Sequence, residues 1–312
     1  MFQLKLVPAK TNVQFVAWRK PAMACSALLV LISVIMSYTP GLNFGIDFRG
    51  GILVEVQTKG PANLGDMRSR LGGLGLGEVS LQEFGAADTV LIRIEKQPGD
   101  ASAQQKAVEK VRAGLGDGLD YRRTEFVGPK VSGELIEAGA IAIALSVVLM
   151  LIYIWFRFEW HFGVGAVVAL VHDVALSVGM FAVTQMEFNL STIAALLTIV
   201  GYSINDTVVV YDRVRENLRK YKTMSLPSVL NMAINDTLSR TTMTSVTTLL
   251  ALVVLFTFGG AVIQGFVFAM IWGVIIGTYS SIFVAAPLLI VLGLGDRHRS
   301  GEDDKGAAQQ TS

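Results

Sequence analysis

Two aspartates stand inside long apolar runs, where a carboxylate is costly. Asp206 lies in Gly201-Tyr-Ser-Ile-Asn-Asp206-Thr207 and Asp173 in Val171-His172-Asp173-Val174. If these runs cross a membrane, a charge near the midplane costs about 2.5–3.5 kcal/mol on insertion scales. Such a residue marks a pathway or relay by default. Asp206 sits six residues before Asp212, roughly 9 Å below the helix end at 1.5 Å per residue. Tyr202 and Ser203 are four and three residues earlier and share its helical face; Asn205 precedes it directly. This set can carry a proton, or a hydrogen-bonded Asp206 can lock helices together. Asp173 is open to the same two readings. A helix turns His172 away from its face, so adjacency alone does not make a relay pair. Arg240 opens another run in Leu238-Ser-Arg240-Thr-Thr-Met-Thr-Ser245. It either snorkels to the headgroups or turns inward as a counter-ion for Asp206. The tetrapeptide Ile204-Asn-Asp-Thr207 recurs as Ile234-Asn-Asp-Thr237. There Asp236 is predicted to be a solvated cap among loop residues, so depth carries the meaning and the tetrapeptide does not.

The elements that hold these residues follow from composition. Of 312 residues, 52% are hydrophobic and 16% charged, and the mean hydropathy is +0.53. A water-soluble domain carries about 25% charged residues, so this chain is an integral membrane protein. A net charge of +1 excludes a strongly basic nucleic-acid binder. The single cysteine, Cys25, rules out an internal disulfide or a CxxC site. His161, His172 and His298 have no metal-ligand spacing. Gly72–Gly77 fails the GxGxxG pattern, because Glu78 stands at the third glycine's place. No cofactor is expected. No nucleophile–base pair, metal site or phosphate loop is present, so an enzyme is not expected.

Six runs reach the length of a membrane-crossing helix: Pro21–Tyr38, Ala138–Phe156, Phe162–Thr184, Leu190–Tyr211, Arg240–Phe258 and Phe266–Leu292. Pro287 predicts a kink or tilt in the last. Lys5, Lys10, Arg19, Lys20, Arg157, Arg213, Arg215, Arg219, Lys220, Lys222, Arg297 and Arg299 all fall on one side of this layout. That bias predicts cytoplasmic termini, with residues 1–20 and a disordered tail over 295–312 inside. A retained anchor over 21–38 fits better than a cleaved signal peptide. Residues 39–136 then lie outside, and 137–294 hold the remaining spans. Within the outer segment, strands are predicted at Ile52–Lys59, Val79–Phe84, Val90–Glu95 and Arg122–Val127, and helices at Asn63–Leu71 and Ala103–Ala113. Gly85-Ala-Ala-Asp88 is the expected hairpin loop and Gly114 the expected helix stop. The order β-α-β-β-α-β is the ferredoxin-like split arrangement. The predicted class is a polytopic α-helical membrane protein of six spans with one such domain inserted between the first and second. The insertion's net charge of −1 over residues 41–134 offers no footprint for nucleic acid.

Phe44-Gly-Ile-Asp-Phe-Arg-Gly-Gly51, directly after the first span, resembles the hallmark of the SecD/SecF family of bacterial export proteins. Val200–Asn217, Phe258-Gly-Gly260 with Gly265-Phe266, and Gly277-Thr-Tyr-Ser-Ser-Ile-Phe-Val284 resemble motifs of its SecF branch. The resemblance implies half of a resistance-nodulation-division (RND) type bundle in the bacterial inner membrane, paired with a SecD-like six-span subunit. It implies work beside the SecYEG channel, where the proton-motive force helps a translocating polypeptide across. It also ties Asp206 to proton flow and Arg240 to its modulation, with no firm role for Asp173. Read directly, Gly45, Gly50 and Gly51 supply turns, Asp47 and Arg49 are expected to pair on the surface, and the segment is a hinge for the outer domain. The alternative function is half of an RND exporter of small molecules or lipids. Such pumps carry larger paired insertions.

Overall fold

The computed structural model describes Pro8, residues 11–116 and residues 118–294; the tail expected over 295–312 lies outside the described residues. Six helices are long and apolar enough to cross a membrane. The first span contains α1 (Arg19–Met36) and is followed by the one-turn helix α2 (Ile46–Arg49).

The αβ domain follows in the predicted order: β1 (Gly51–Gln57), α3 (Leu64–Gly72), β2 (Val79–Phe84), β3 (Ala86–Ile94), α4 (Ala101–Leu115) and β4 (Asp120–Val127). Its antiparallel sheet has the order β2-β3-β1-β4, the split βαβ topology. β1 takes a central place and is buried on both faces. Ile52, Val54 and Val56 pack with Val90, Ile92 and Val111, while Leu53 joins Ile46 and Leu91 on the other face. Asn63 caps α3 through the Asp66 N–H, and Asp100 caps α4 through Ser102 and Ala103.

Two local expectations are corrected. Gly85 turns the hairpin alone, with φ +74, so Ala86 to Asp88 belong to the strand rather than to a loop. α4 continues through Gly114 and ends at Gly116, with φ +86. Leu74 Cδ1 lies 2.7 Å from where a Gly114 Cβ would sit, so that glycine admits a packing contact instead of stopping the helix.

The bundle continues with α5 (Pro129–Arg157), α6 (Trp160–Thr184), α7 (Leu190–Lys220), α8 (Leu226–Phe258), α9 (Ala261–Ser280) and α10 (Ala286–Val291). Proline starts α5 at its first turn, so this helix begins inside the stretch read as outer domain. The apolar windows of α6, α7 and the last span are 61%, 50% and 61% buried, against 11%, 6% and 17% for the spans of α1, α5 and α8. Three helices therefore form the interior, and three stand at its rim. Small residues let the inner ones approach: Gly273 and Gly277 of α9 lie against Ile199 and Ser203 of α7, and Gly179 of α6 against Ser33 of α1. In the last span a wide π-type turn occupies Ser281–Ala285, just before Pro287. The buried Tyr211 hydroxyl donates to the Ala285 carbonyl there, at 3.0 Å.

α7 and α8 are both longer than their apolar runs predict. Their extensions are held by ion pairs, Arg213 to Glu216 at 2.7 Å and Arg213 to Asp236 at 2.8 Å. Asp236 is therefore a mid-helix residue bound to α7, and the expectation of a cap in a loop is corrected.

Candidate functional site

α6, α7, α8 and α9 bring two polar layers into the apolar bundle. The first surrounds Asp206, which is 3% exposed and whose Oδ2 has no hydrogen-bond partner among the described residues. The Arg240 charge on α8 and the Thr278 hydroxyl on α9 are its electrostatic neighbours. No direct ion pair joins Arg240 to it among the described residues, and Arg240 itself is exposed. Thr278 and Ser245 share a hydrogen bond of 2.7 Å, and the Tyr202 hydroxyl donates to Ser245 at 3.4 Å. Thr241 adds a buried hydroxyl with no hydrogen-bond partner among the described residues. This layer combines one carboxylate, one cation at a distance and a run of hydroxyls. Such a set can hold a proton and pass it on.

The second layer is centred on Asp173, which is 0% exposed. His172 Nδ1 lies 2.8 Å from its Oδ1. Ser280 donates to Oδ2 at 2.7 Å, and Ser203 donates to the same oxygen. The expectation that His172 faces away is corrected. Neighbouring side chains on α6 both lean into the seam with α9, where the His172 ring stacks on Tyr279 with centroids 6.1 Å apart. Ser203 thus serves Asp173 rather than Asp206. Asn205, read as part of the pathway, is exposed on the outer side of α7. Sequence reasoning missed Thr278, Tyr279 and Ser280. A dense run of hydroxyls within an apolar span was the available signal.

The third feature is the Phe44–Gly51 segment. Gly50 and Gly51 have φ of +72 and +123 and make the turn into β1. No ion pair joins Asp47 to Arg49 among the described residues, which corrects that expectation. Asp47 instead accepts the Leu190 N–H at 3.0 Å, supplementing Asn189 as an N-terminal cap of α7. Gly45 N–H donates to the Phe188 carbonyl at 2.9 Å, and Phe188 N–H to the Asn43 carbonyl at 2.8 Å. Arg93 of β3 pairs with Glu187 and donates to Asn43 at 3.1 Å. A Cβ on Gly45 would run into Glu187. The segment read as a hinge is thus clamped to the connection between α6 and α7.

A six-span bundle with an inserted split-βαβ domain and carboxylates buried at mid-span defines a polytopic membrane protein of the transport class. A family model described as protein export membrane protein SecD/SecF, C-terminal, matches residues 107–295, and the SecD/SecF GG motif matches residues 35–62. The chain belongs to the SecD/SecF family. It is 48% identical over 317 residues to protein translocase subunit SecF of Rhodobacter capsulatus, covering 97% of this chain and 95% of that one. Its identity to the subunit of the same name from Rickettsia felis is 47% over 295 residues, or 93% and 94% of the two chains. A crystal structure of SecDF from Thermus, titled a translocon-associated membrane protein, matches with a TM-score of 0.84 at 33% identity. That match covers 92% of this chain and 39% of that one, so this chain spans about two-fifths of the SecDF chain. A super-membrane-facing form of SecDF matches at 0.69, also at 33% identity.

Proposed function

We propose that this chain is an accessory subunit of a Sec-type protein-export machinery. With a SecD-like six-span partner, it uses the proton-motive force to promote the movement and release of exported polypeptides. In this reading it lies in a bacterial inner membrane with both termini cytoplasmic, the αβ domain outside and a SecYEG channel beside it. It performs no covalent catalysis and needs protons but no cofactor. The relatives, which are protein translocase subunits, and the likeness to SecDF support the setting. One observation carries the mechanism: Asp206 is buried within an apolar span, one carboxylate oxygen has no hydrogen-bond partner among the described residues, and the Arg240 charge acts on it from the next helix.

The energetics suffice. One charge moved through the membrane potential yields about 2.3 kcal/mol per 100 mV. Two protons at roughly 150 mV supply about 7 kcal/mol, more than the ~5.5 kcal/mol that switches a two-state protein from 1:99 to 99:1. Asp206 alternates between a protonated form and an ionised form compensated by Arg240. Asp206→Asn keeps the shape and cannot release a proton. Proton-driven stimulation of export into membrane vesicles should fall to background in this variant while the complex still assembles. Potential-dependent export at the parent rate would leave Asp206 as a helix lock.

A further inference from the structure

Asp173 is fully enclosed, and the cycle above gives it no step. Two serines donate to its Oδ2, Ser280 Oγ at 2.7 Å and Ser203 Oγ, and His172 Nδ1 lies 2.8 Å from its Oδ1. The two serines occupy Oδ2, so the 2.8 Å contact between Nδ1 and Oδ1 holds one proton, on the ring beside a carboxylate or on the carboxyl beside a neutral ring. An ion at this depth needs a counter-charge. No lysine or arginine occurs from residue 160 to 212 or from 261 to 294, which spans α6, most of α7, α9 and α10. On the packed elements, the titratable and charged groups near this level are Asp206 and Tyr202 of α7, Tyr279 of α9 and Arg240 of α8, whose charge acts on Asp206. α1 brings Ser26 and Ser33, and α5 brings nothing titratable between Ala138 and Ile152. His172 is the basic group in contact with Asp173, so in the charged arrangement of the pair its imidazolium is the counter-charge.

The pair has a second neutral arrangement. If the Nδ1–H bond breaks and an Oδ1–H bond forms, both groups become uncharged without any other change. His172 Nε2 is buried and has no partner among the described residues, so the ring keeps one free end at which a proton can enter or leave. Ser203, which donates to Asp173, lies one helical turn from Asp206 on α7 and so sets the two carboxylates near each other. Two uncompensated negative charges this close in a low dielectric oppose each other. Ionisation of Asp206 therefore favours retention of a proton by the pair, and neutral Asp206 favours its release.

We propose that His172 and Asp173 form a second proton-holding station whose occupancy is coupled electrostatically to Asp206. The inference rests on the proton-carrier reading of Asp206 and adds a site to it. The full chain, with ¹⁵N-labelled histidine, is reconstituted in lipid beside an unlabelled SecD-like partner. His172 is identified by the signal lost in His172→Gln, and its protonation is followed against pH. In Asp206→Asn, where the carboxylate is permanently neutral, the His172 midpoint should fall by about half a pH unit or more, a roughly 3-fold loss of proton affinity. Identical titrations in the parent and in Asp206→Asn overturn the proposal. Export measured on the same samples separates the two readings. Unimpaired export in Asp206→Asn sinks the proton-carrier assignment, whereas abolished export with an unmoved His172 titration sinks the second station alone. Asp173→Asn can still accept from both serines and donate to Nδ1, so it should fold, abolish the His172 titration shift and reduce proton-driven export.

Discussion

At Arg240 the guanidinium has two ways to lower its energy, reaching the headgroups or compensating Asp206. It is exposed on α8, next to the buried Thr241, yet it is the cation that acts on the carboxylate. A residue that only snorkels tolerates replacement by any long flexible side chain. A counter-ion needs charge above all, and a planar fork second. Proton-driven export should therefore drop several-fold more in Arg240→Met than in Arg240→Lys. Equal rates in the two variants would favour snorkelling. Asp236 is the internal comparison, since it repeats the Asp206 tetrapeptide outside the apolar run. Its pair with Arg213 has side chains 34% and 36% exposed, and such pairs contribute about 0–1 kcal/mol. Asp236→Asn should accordingly stay near the parent rate in the same assay, and a loss comparable to Asp206→Asn would remove the distinction of depth.

The helices were legible wherever one physical signal decided them. Long apolar runs gave the spans, and alternation with glycine punctuation gave the αβ domain's order. Hydropathy is blind to helices that continue on ion pairs, so the ends of α7 and α8 and the setting of Asp236 were missed. Contacts across the chain left no local mark. Nothing near Asp47 points to Leu190, and nothing near Arg93 points to Glu187, so a clamp was read as a hinge. His172 was dismissed because helical spacing describes faces, whereas two long side chains can lean into one seam. The glycine spacing in α9 was legible, and its consequence is testable. A Cβ at Gly273 would collide with Ile199, one at Gly277 would come within 3.2 Å of Ser203 Cβ, and one at Gly201 meets nothing within 4 Å. Overpacking costs about 1–3 kcal/mol, and alanine favours a helix over glycine by about 0.8–1 kcal/mol. Thermal unfolding of the purified protein should rank Gly273→Ala below Gly277→Ala, with Gly201→Ala at or above the parent. A different order would show that α7 and α9 are not held by this groove.

As a whole the molecule leaves a polar face uncovered at membrane depth. Gly201 and Asn205 on α7 and Arg240 on α8 are exposed, at the level of an otherwise buried Asp206. The exposed residues of α1 and α5, such as Leu28, Leu31, Leu145 and Leu149, are by contrast apolar and suit lipid tails. An amide and a guanidinium facing lipid together cost several kcal/mol, so the polar face is the one a second six-span half would cover. The clamp from Asp47 to the start of α7 then connects that interface to the αβ domain through one rigid helix. Cys25 is the single cysteine, which makes the coverage measurable. In a Cys25→Ser background, Asn205→Cys should react readily with a small maleimide when the chain is alone in membranes. Co-expression with a SecD-like partner should slow that reaction at least 10-fold, while Leu145→Cys on the α5 surface reacts at the same rate in both. An Asn205→Cys rate unchanged by the partner would mean that the second half docks elsewhere, and that Asp206 is shielded by this chain alone.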